Sequence, residues 1–135
     1  MNLSGDAMER FLSGKVFAVV GASRDRSKYG NMVLRAYAQR GRKAYPVNPS
    51  AEEVEGQRAY PDLSSLPELP DGISIVTPPS VTERVIDEAC RLGIGNVWMQ
   101  PGSESEDAVR RARECGMNVV AGGPCILVKL GFHDE

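Results

Sequence analysis

Short apolar runs and helix-spaced apolar positions alternate along this chain. The runs fall at residues 15–20, 43–47, 72–76, 95–100 and 117–121. Val16 to Val20 have no polar interruption, as expected for a parallel strand covered on both faces. Between the runs, apolar residues recur three and four apart. Met8, Phe11 and Leu12 predict a helix over residues 5–12 that covers an edge or an end of the sheet. Val33 with Tyr37, and Leu34 with Ala38, predict a second helix over residues 30–40, closed by Gly41. Ser80 with Glu83, and Ser103 with Glu106, have capping-box spacing and predict two further helices with those serines as N-caps. A short strand at residues 57–60 is expected after Gly56, followed by turn formers in which Leu63 and Leu66 anchor one helical turn. Strands alternating with helices predict an α/β fold: a three-layer, Rossmann-like, doubly wound parallel sheet. The expected strand order is 3-2-1-4-5-6, in one domain over residues 1–135.

In such a sheet, ligands bind at the carboxyl ends of the strands, where the winding reverses. Four turns should meet there: Gly21-Ala22-Ser23, Asn48-Pro49, Thr77-Pro78-Pro79 and Gln100-Pro101-Gly102. The first continues through Arg24, Arg26, Lys28 and Tyr29 to Gly30, which opens a helix. Glycine lets the backbone approach a ligand closely, and a helix start presents unpaired N–H groups and the positive end of its dipole. Unpaired amides and cations between the first strand and its helix therefore predict a pocket for a phosphate. The helices near Ser80 and Ser103 are expected to cap themselves and to place glutamate in their first turns. A like charge about 4 Å from a phosphate costs on the order of 4 kcal/mol at an effective dielectric near 20. The diphosphate is accordingly placed at the first loop.

Charge and cysteine content narrow the function classes. The formal net charge is −2, with 18 acids against 16 bases, which excludes a generic nucleic-acid binder. No apolar run approaches the roughly 20 residues of a membrane span, and the amino-terminal stretch lacks the apolar core of a secretory signal. Cys90, Cys115 and Cys125 have no CxxC spacing, so reduced thiols and a cytosolic location are expected. Cys90 and Cys115 read as packing or surface residues, Cys125 as a packed residue or a reactive thiol, Trp98 as core and His133 as a disordered tail residue. No metal site is expected, and neither paired carboxylates nor a nucleophile–base pair can be placed on the rim, so no catalytic residue is assigned.

The dinucleotide pattern G-x-G-x-x-G is absent, Asn48 stands where a ribose-binding acid belongs, and the Walker A pattern is missing. In order and spacing, VVGASRDRSKYGN, YPVNP, TPP and VWMQPG resemble the small CoA-binding proteins, whose domain is similar to the N-terminal domain of the succinyl-CoA synthetase α subunit. The resemblance runs from about Lys15 to Cys125. It implies coenzyme A or an acyl-CoA as ligand, with Gly21, Ala22, Ser23, Arg24 and Lys28 at the diphosphate. Asn48 and Pro49 would line the adenosine side, with Arg24, Arg26 or Lys28 near the 3′-phosphate. Thr77, Pro78 and Pro79 would border the rest of the ligand, with Gln100 and Gly102 further along the rim. Three readings stay open. The chain is a binding module without chemistry of its own, serving as carrier, sensor or regulatory subunit. Alternatively it is the NADP- or nucleotide-binding component of an enzyme whose partner supplies catalytic groups, or a thiol redox sensor using Cys125. A protein partner or a homo-oligomer fits any of them.

Overall fold

The computed structural model describes residues 3–134, and side chains from Asp6 onward. A five-stranded parallel sheet forms the centre, in the order β2-β1-β5-β6-β7. Its strands are β1 (Val16–Val20), β2 (Lys43–Val47), β5 (Gly72–Ile75), β6 (Asn96–Met99) and β7 (Asn118–Val120). β3 (Glu53–Val54) and β4 (Gln57–Arg58) pair antiparallel outside it. The helices are α1 (Leu3–Leu12), α2 (Tyr29–Gln39), α3 (Pro79–Leu92), α4 (Glu106–Glu114) and α5 (Ile126–Leu130), and Leu63–Ser65 make a single 3-10 turn.

Successive side chains of a strand point to opposite faces. Phe17, Val19, Trp98 and Val120 therefore pack with residues of α1, α2 and α5 on one face. Ala18, Val20, Ile73, Ile75, Val97 and Met99 pack with residues of α3 and α4 on the other. On the first face, the Phe11 ring lies 5.4 Å from both Phe17 and Trp98, and Phe17 stacks on Tyr37 at 4.9 Å. Helix α1 thus packs on this face toward the β7 edge, where the Asn118 side-chain amide donates to the Ala7 carbonyl at 2.9 Å. Gly72 makes room for it, because a Cβ there would meet the Phe11 ring at 2.8 Å. Trp98 is core as expected, fully buried, with its indole N–H donated to the Pro124 carbonyl at 3.1 Å. The buried Tyr37 hydroxyl bonds Ser74 at 2.6 Å, and burial pushes its phenol well above the ordinary tyrosine range. At the opposite end of the sheet, Asp71 accepts from the Lys15 and Val16 amides at 2.8 and 2.9 Å, which holds its carboxyl below the usual range.

The expected third strand does not join the sheet. Glu55 and Gly56 both take positive φ, 50° and 77°, and fold residues 57–58 back onto residues 53–54. Only Tyr60 reaches β2, through one bridge: its N–H donates to the Pro46 carbonyl at 3.0 Å and its carbonyl accepts from the Asn48 N–H at 2.9 Å. Pro46 has no N–H to offer a neighbouring strand, so β2 is left as the edge. Two caps also shift. Helix α3 starts at Pro79 with Pro78 as N-cap, so Ser80 lies inside its first turn, which carries no acid. Helix α4 is capped by Ser105, whose hydroxyl accepts from the Ala108 N–H at 3.0 Å, while Ser103 is buried and accepts from the Thr77 N–H at 3.2 Å. Cys90 and Cys115 form a disulfide between α3 and the end of α4, against the expectation of reduced thiols, and Cys125 is the free cysteine among the described residues. His133 is held rather than loose: its N–H donates to Gln39 at 3.0 Å and its carbonyl accepts from the same side chain at 2.6 Å. No helix among the described residues is long and apolar enough to cross a membrane.

Candidate functional site

The loop after β1 is built by close backbone contacts. Gly21 takes a φ of +93°, and a Cβ there would meet the Val76 carbonyl at 2.1 Å. A Cβ on Gly30 would meet the Gly21 carbonyl oxygen at 1.9 Å. Gly21 is thus clasped between the end of β5 and the start of α2, a packing that only glycine permits at both places. The Gly21 and Ala22 amides donate to the Val47 carbonyl at 3.1 and 3.3 Å, which corrects the expectation that they are unpaired. Ala22 is itself buried in the core. These two residues shape the loop and present no free N–H to an anion.

Beyond them the loop organises itself. Asp25 accepts from the Ser27 hydroxyl at 2.6 Å and the Ser27 N–H at 2.9 Å, bonds that hold its carboxyl below the ordinary range. Its carbonyl accepts from the Lys28 N–H at 3.0 Å. The Ser23 oxygen accepts from the Asp25 N–H at 3.1 Å, which leaves the hydroxyl hydrogen for a guest. Lys28 is the N-cap of α2, makes no side-chain cap bond, and is followed by a first turn without acids. The positive end of the α2 dipole and an exposed ammonium therefore share one place. At α3, the residue that opens the helix is Pro79, which has no N–H to give. At α4, Glu106 and Asp107 occupy the first turn, where they repel an anion.

Gly21, Ser23, Ser27, Lys28, Tyr29, Gly30 and Val76 line a cavity of about 380 Å³ at the crevice between β1 and β5. A second cavity of about 260 Å³ is lined by Tyr29, Val76, Gln100, Pro101 and Cys125. The two share Tyr29 and Val76, so a cradle carrying Lys28 lies beside a less polar recess whose lining includes a free thiol. Gln100 is buried; its amide N–H donates to the Cys125 sulfur at 3.4 Å and its oxygen accepts from the Ile126 N–H at 2.8 Å.

The family model of the CoA binding domain matches residues 15–131. This chain belongs to that family. A conserved hypothetical protein of Pyrococcus furiosus with a solved structure is 38% identical, with a TM-score of 0.80 covering 85% of this chain and 98% of that one. The ADP-forming acetate–CoA ligase II alpha subunit of the same organism is 28% identical over 130 residues, 88% of this chain and 28% of the subunit. A dinucleotide-forming acetyl-coenzyme A synthetase 1 of Ca. Korarchaeum cryptofilum superposes with a TM-score of 0.69 at 36% identity, over 78% of this chain and 25% of that one. The chain spans between 11% and 28% of the length of four curated acetate–CoA ligases among its relatives.

Within this CoA-binding domain the remaining sequence-derived residues divide. Asn48 is spent on architecture: its amide N–H donates to the Ala22 carbonyl at 2.8 Å and its oxygen accepts from the Ser50 and Ala51 amides. Pro49 is exposed beside it. Arg24 lies apart from the cradle, lining a polar depression with Ser50, Ala51, Glu52, Glu53 and Glu55. Arg26 turns to Glu55 at 3.5 Å. Thr77 bonds Thr82 at 2.7 Å and, with Pro78 and Pro79, forms the shoulder at the start of α3. Gly102 is exposed, its N–H turned to Glu104 at 3.3 Å. Sequence reasoning missed Val76 and Ser27, which line the cradle. Val76 follows the last residue of β5, and its position one step past a rim strand was a readable signal. A larger cavity, about 850 Å³, lies elsewhere, between α4 and Gly122; its walls carry Glu104, Glu106 and Glu114 against Arg110 and Arg113, an excess of acids that does not favour a phosphate.

Proposed function

We propose that this domain binds coenzyme A or an acyl-CoA, with the diphosphate at Ser23, Lys28, Tyr29 and Gly30. The observation that carries this reading is the pair of adjoining cavities. A cationic cradle beside a recess lined by Tyr29, Val76, Pro101 and Cys125 suits a ligand with a diphosphate at its middle and a long, weakly charged arm ending in sulfur. Gly21 and Ala22 support the cradle from below, and Thr77, Pro78 and Pro79 border the arm, with Gln100 at its far end and Gly102 beyond. Arg24, Asn48 and Pro49 face the adenosine side, with Arg26 near the 3′-phosphate. The domain contributes binding rather than catalysis and acts as a carrier, a sensor or a regulatory module. The relation to an acetate–CoA ligase alpha subunit supports a protein partner as the source of any catalytic groups.

Calorimetric titration of the purified protein with CoA, NADP and ATP tests this. CoA is expected to bind, with an affinity that falls as salt is raised, because part of the attraction is between exposed charges. Preference for NADP or ATP over CoA would replace this reading with that of a nucleotide-binding component.

A further inference from the structure

Beneath the cradle lies a charged side chain that ligand binding does not itself call for. Arg35, on the second turn of α2, is only 7% exposed. Its Nε donates to Asn31 Oδ1 at 2.6 Å, its Nη2 to the Arg26 carbonyl at 2.9 Å and its Nη1 to Asp134 Oδ1 at 2.9 Å. Its guanidinium also lies 5.1 Å from the centre of the Phe132 ring. Asn31, fully buried, relays the contact: its amide N–H groups donate to the Ser23 carbonyl at 2.8 Å and to Glu55 at 3.1 Å. One planar fork thus grips the loop near both ends, Arg26 directly and Ser23 through Asn31. The C=O and N–H of a trans peptide point in opposite directions. Drawing the Ser23 carbonyl toward Asn31 therefore turns the Arg24 N–H away from it. The balancing carboxylate comes from the segment after α5, which Gln39 and Arg40 fasten to α2 through the backbone of His133 and Leu130.

We infer that Arg35 is the positioning residue of the anion cradle, and that the segment carrying Phe132 and Asp134 belongs to the site as its clamp. The inference rests on the CoA-binding reading above and adds to it a specific cause for the shape of the loop. Lysine in place of Arg35 keeps the charge but loses the fork, which is what makes this substitution informative.

The test pairs two measurements on the full chain: hydrogen exchange of the amides of residues 23–28 without ligand, and calorimetric affinity for CoA. Arg35→Lys is expected to speed exchange across the loop and to weaken CoA about tenfold or more while the protein stays folded. Asp134→Asn should move both in the same direction by a smaller factor, and it carries the test if Arg35→Lys does not fold. Arg42→Lys is the control. Arg42 donates to the Leu12 carbonyl far from the loop, so its loss affects stability and leaves both readouts unchanged. Wild-type exchange in Arg35→Lys, or faster exchange with wild-type affinity, would overturn the inference. Failure of the unmodified protein to bind CoA would overturn the parent reading and this one together, and is visible before any variant is made.

Discussion

Gly30→Ala is expected to destabilise the fold by about 3 kcal/mol and to abolish measurable CoA binding. On helix propensity alone the change would help, since alanine is favoured over glycine by about 1 kcal/mol within a helix. Sterics reverse the sign. The new Cβ would lie 1.9 Å from the Gly21 carbonyl oxygen and 3.4 Å from Ala22 Cα, backbone atoms that no rotamer change can move. Nor can Gly21 retreat, because its N–H is bonded to Val47 and the Val76 carbonyl stands behind it. The loop must lift off α2, and the cradle opens. Gly41→Ala is the natural contrast: it has a φ of +66° but nothing within 4 Å of its Cβ, so it costs about 1–2 kcal/mol and leaves the ligand site intact. Urea unfolding of both variants checks this. A wild-type midpoint for Gly30→Ala would mean that the loop is not packed as described.

Lys28→Glu should cost CoA about two orders of magnitude in affinity, roughly 2–4 kcal/mol for reversing one exposed charge about 4 Å from a phosphate at an effective dielectric of about 40–80. Stability should not follow. The hydrogen bonds of Lys28 are all made by its backbone, which accepts from the Asn31 and Met32 amides at 3.1 Å and donates to the Asp25 carbonyl; its exposed ammonium adds only a solvent-screened attraction to Asp25. A carboxylate at the start of α2 is, if anything, favourable to the helix dipole. Affinity and stability thus move apart, which separates a binding residue from a folding residue. Titration calorimetry beside thermal unfolding reads both; parallel losses in the two would contradict the assignment.

The strands of the central sheet were legible because β1 is covered on both faces and reads as an unbroken apolar run, and the helices because their apolar residues keep a helical period. The third strand was misplaced for a local reason. The turn at Glu55 and Gly56 has no Asn-Gly or Asp-Gly signature, and Pro46, whose missing N–H marks an edge strand, sits in an otherwise ordinary strand pattern. The caps at Ser80 and Ser103 failed because each serine has a competitor: Pro79 is well suited to the first helical position, and Ser105 stands two residues after Ser103. The proposed place of the anion cradle rests on Gly21, Lys28 and Gly30, all visible in the sequence. Its support was not visible there. Arg35 and Asp134 are 99 positions apart, and no local pattern announces their bond. In the same way, the sequence showed three cations in the loop but not that Glu55 draws Arg26 away or that Arg24 lines a separate depression.

The most direct measurement is a CoA titration followed by the backbone amide resonances of the whole chain. Shifts are predicted to be largest from Ser23 to Gly30, with a second group at Val76, Gln100 and Cys125, and to be nearly absent from α4 and Gly122. Shifts concentrated along α4 and the groove beside it, with residues 23–30 unmoved, would contradict the placement of the ligand at the loop after β1.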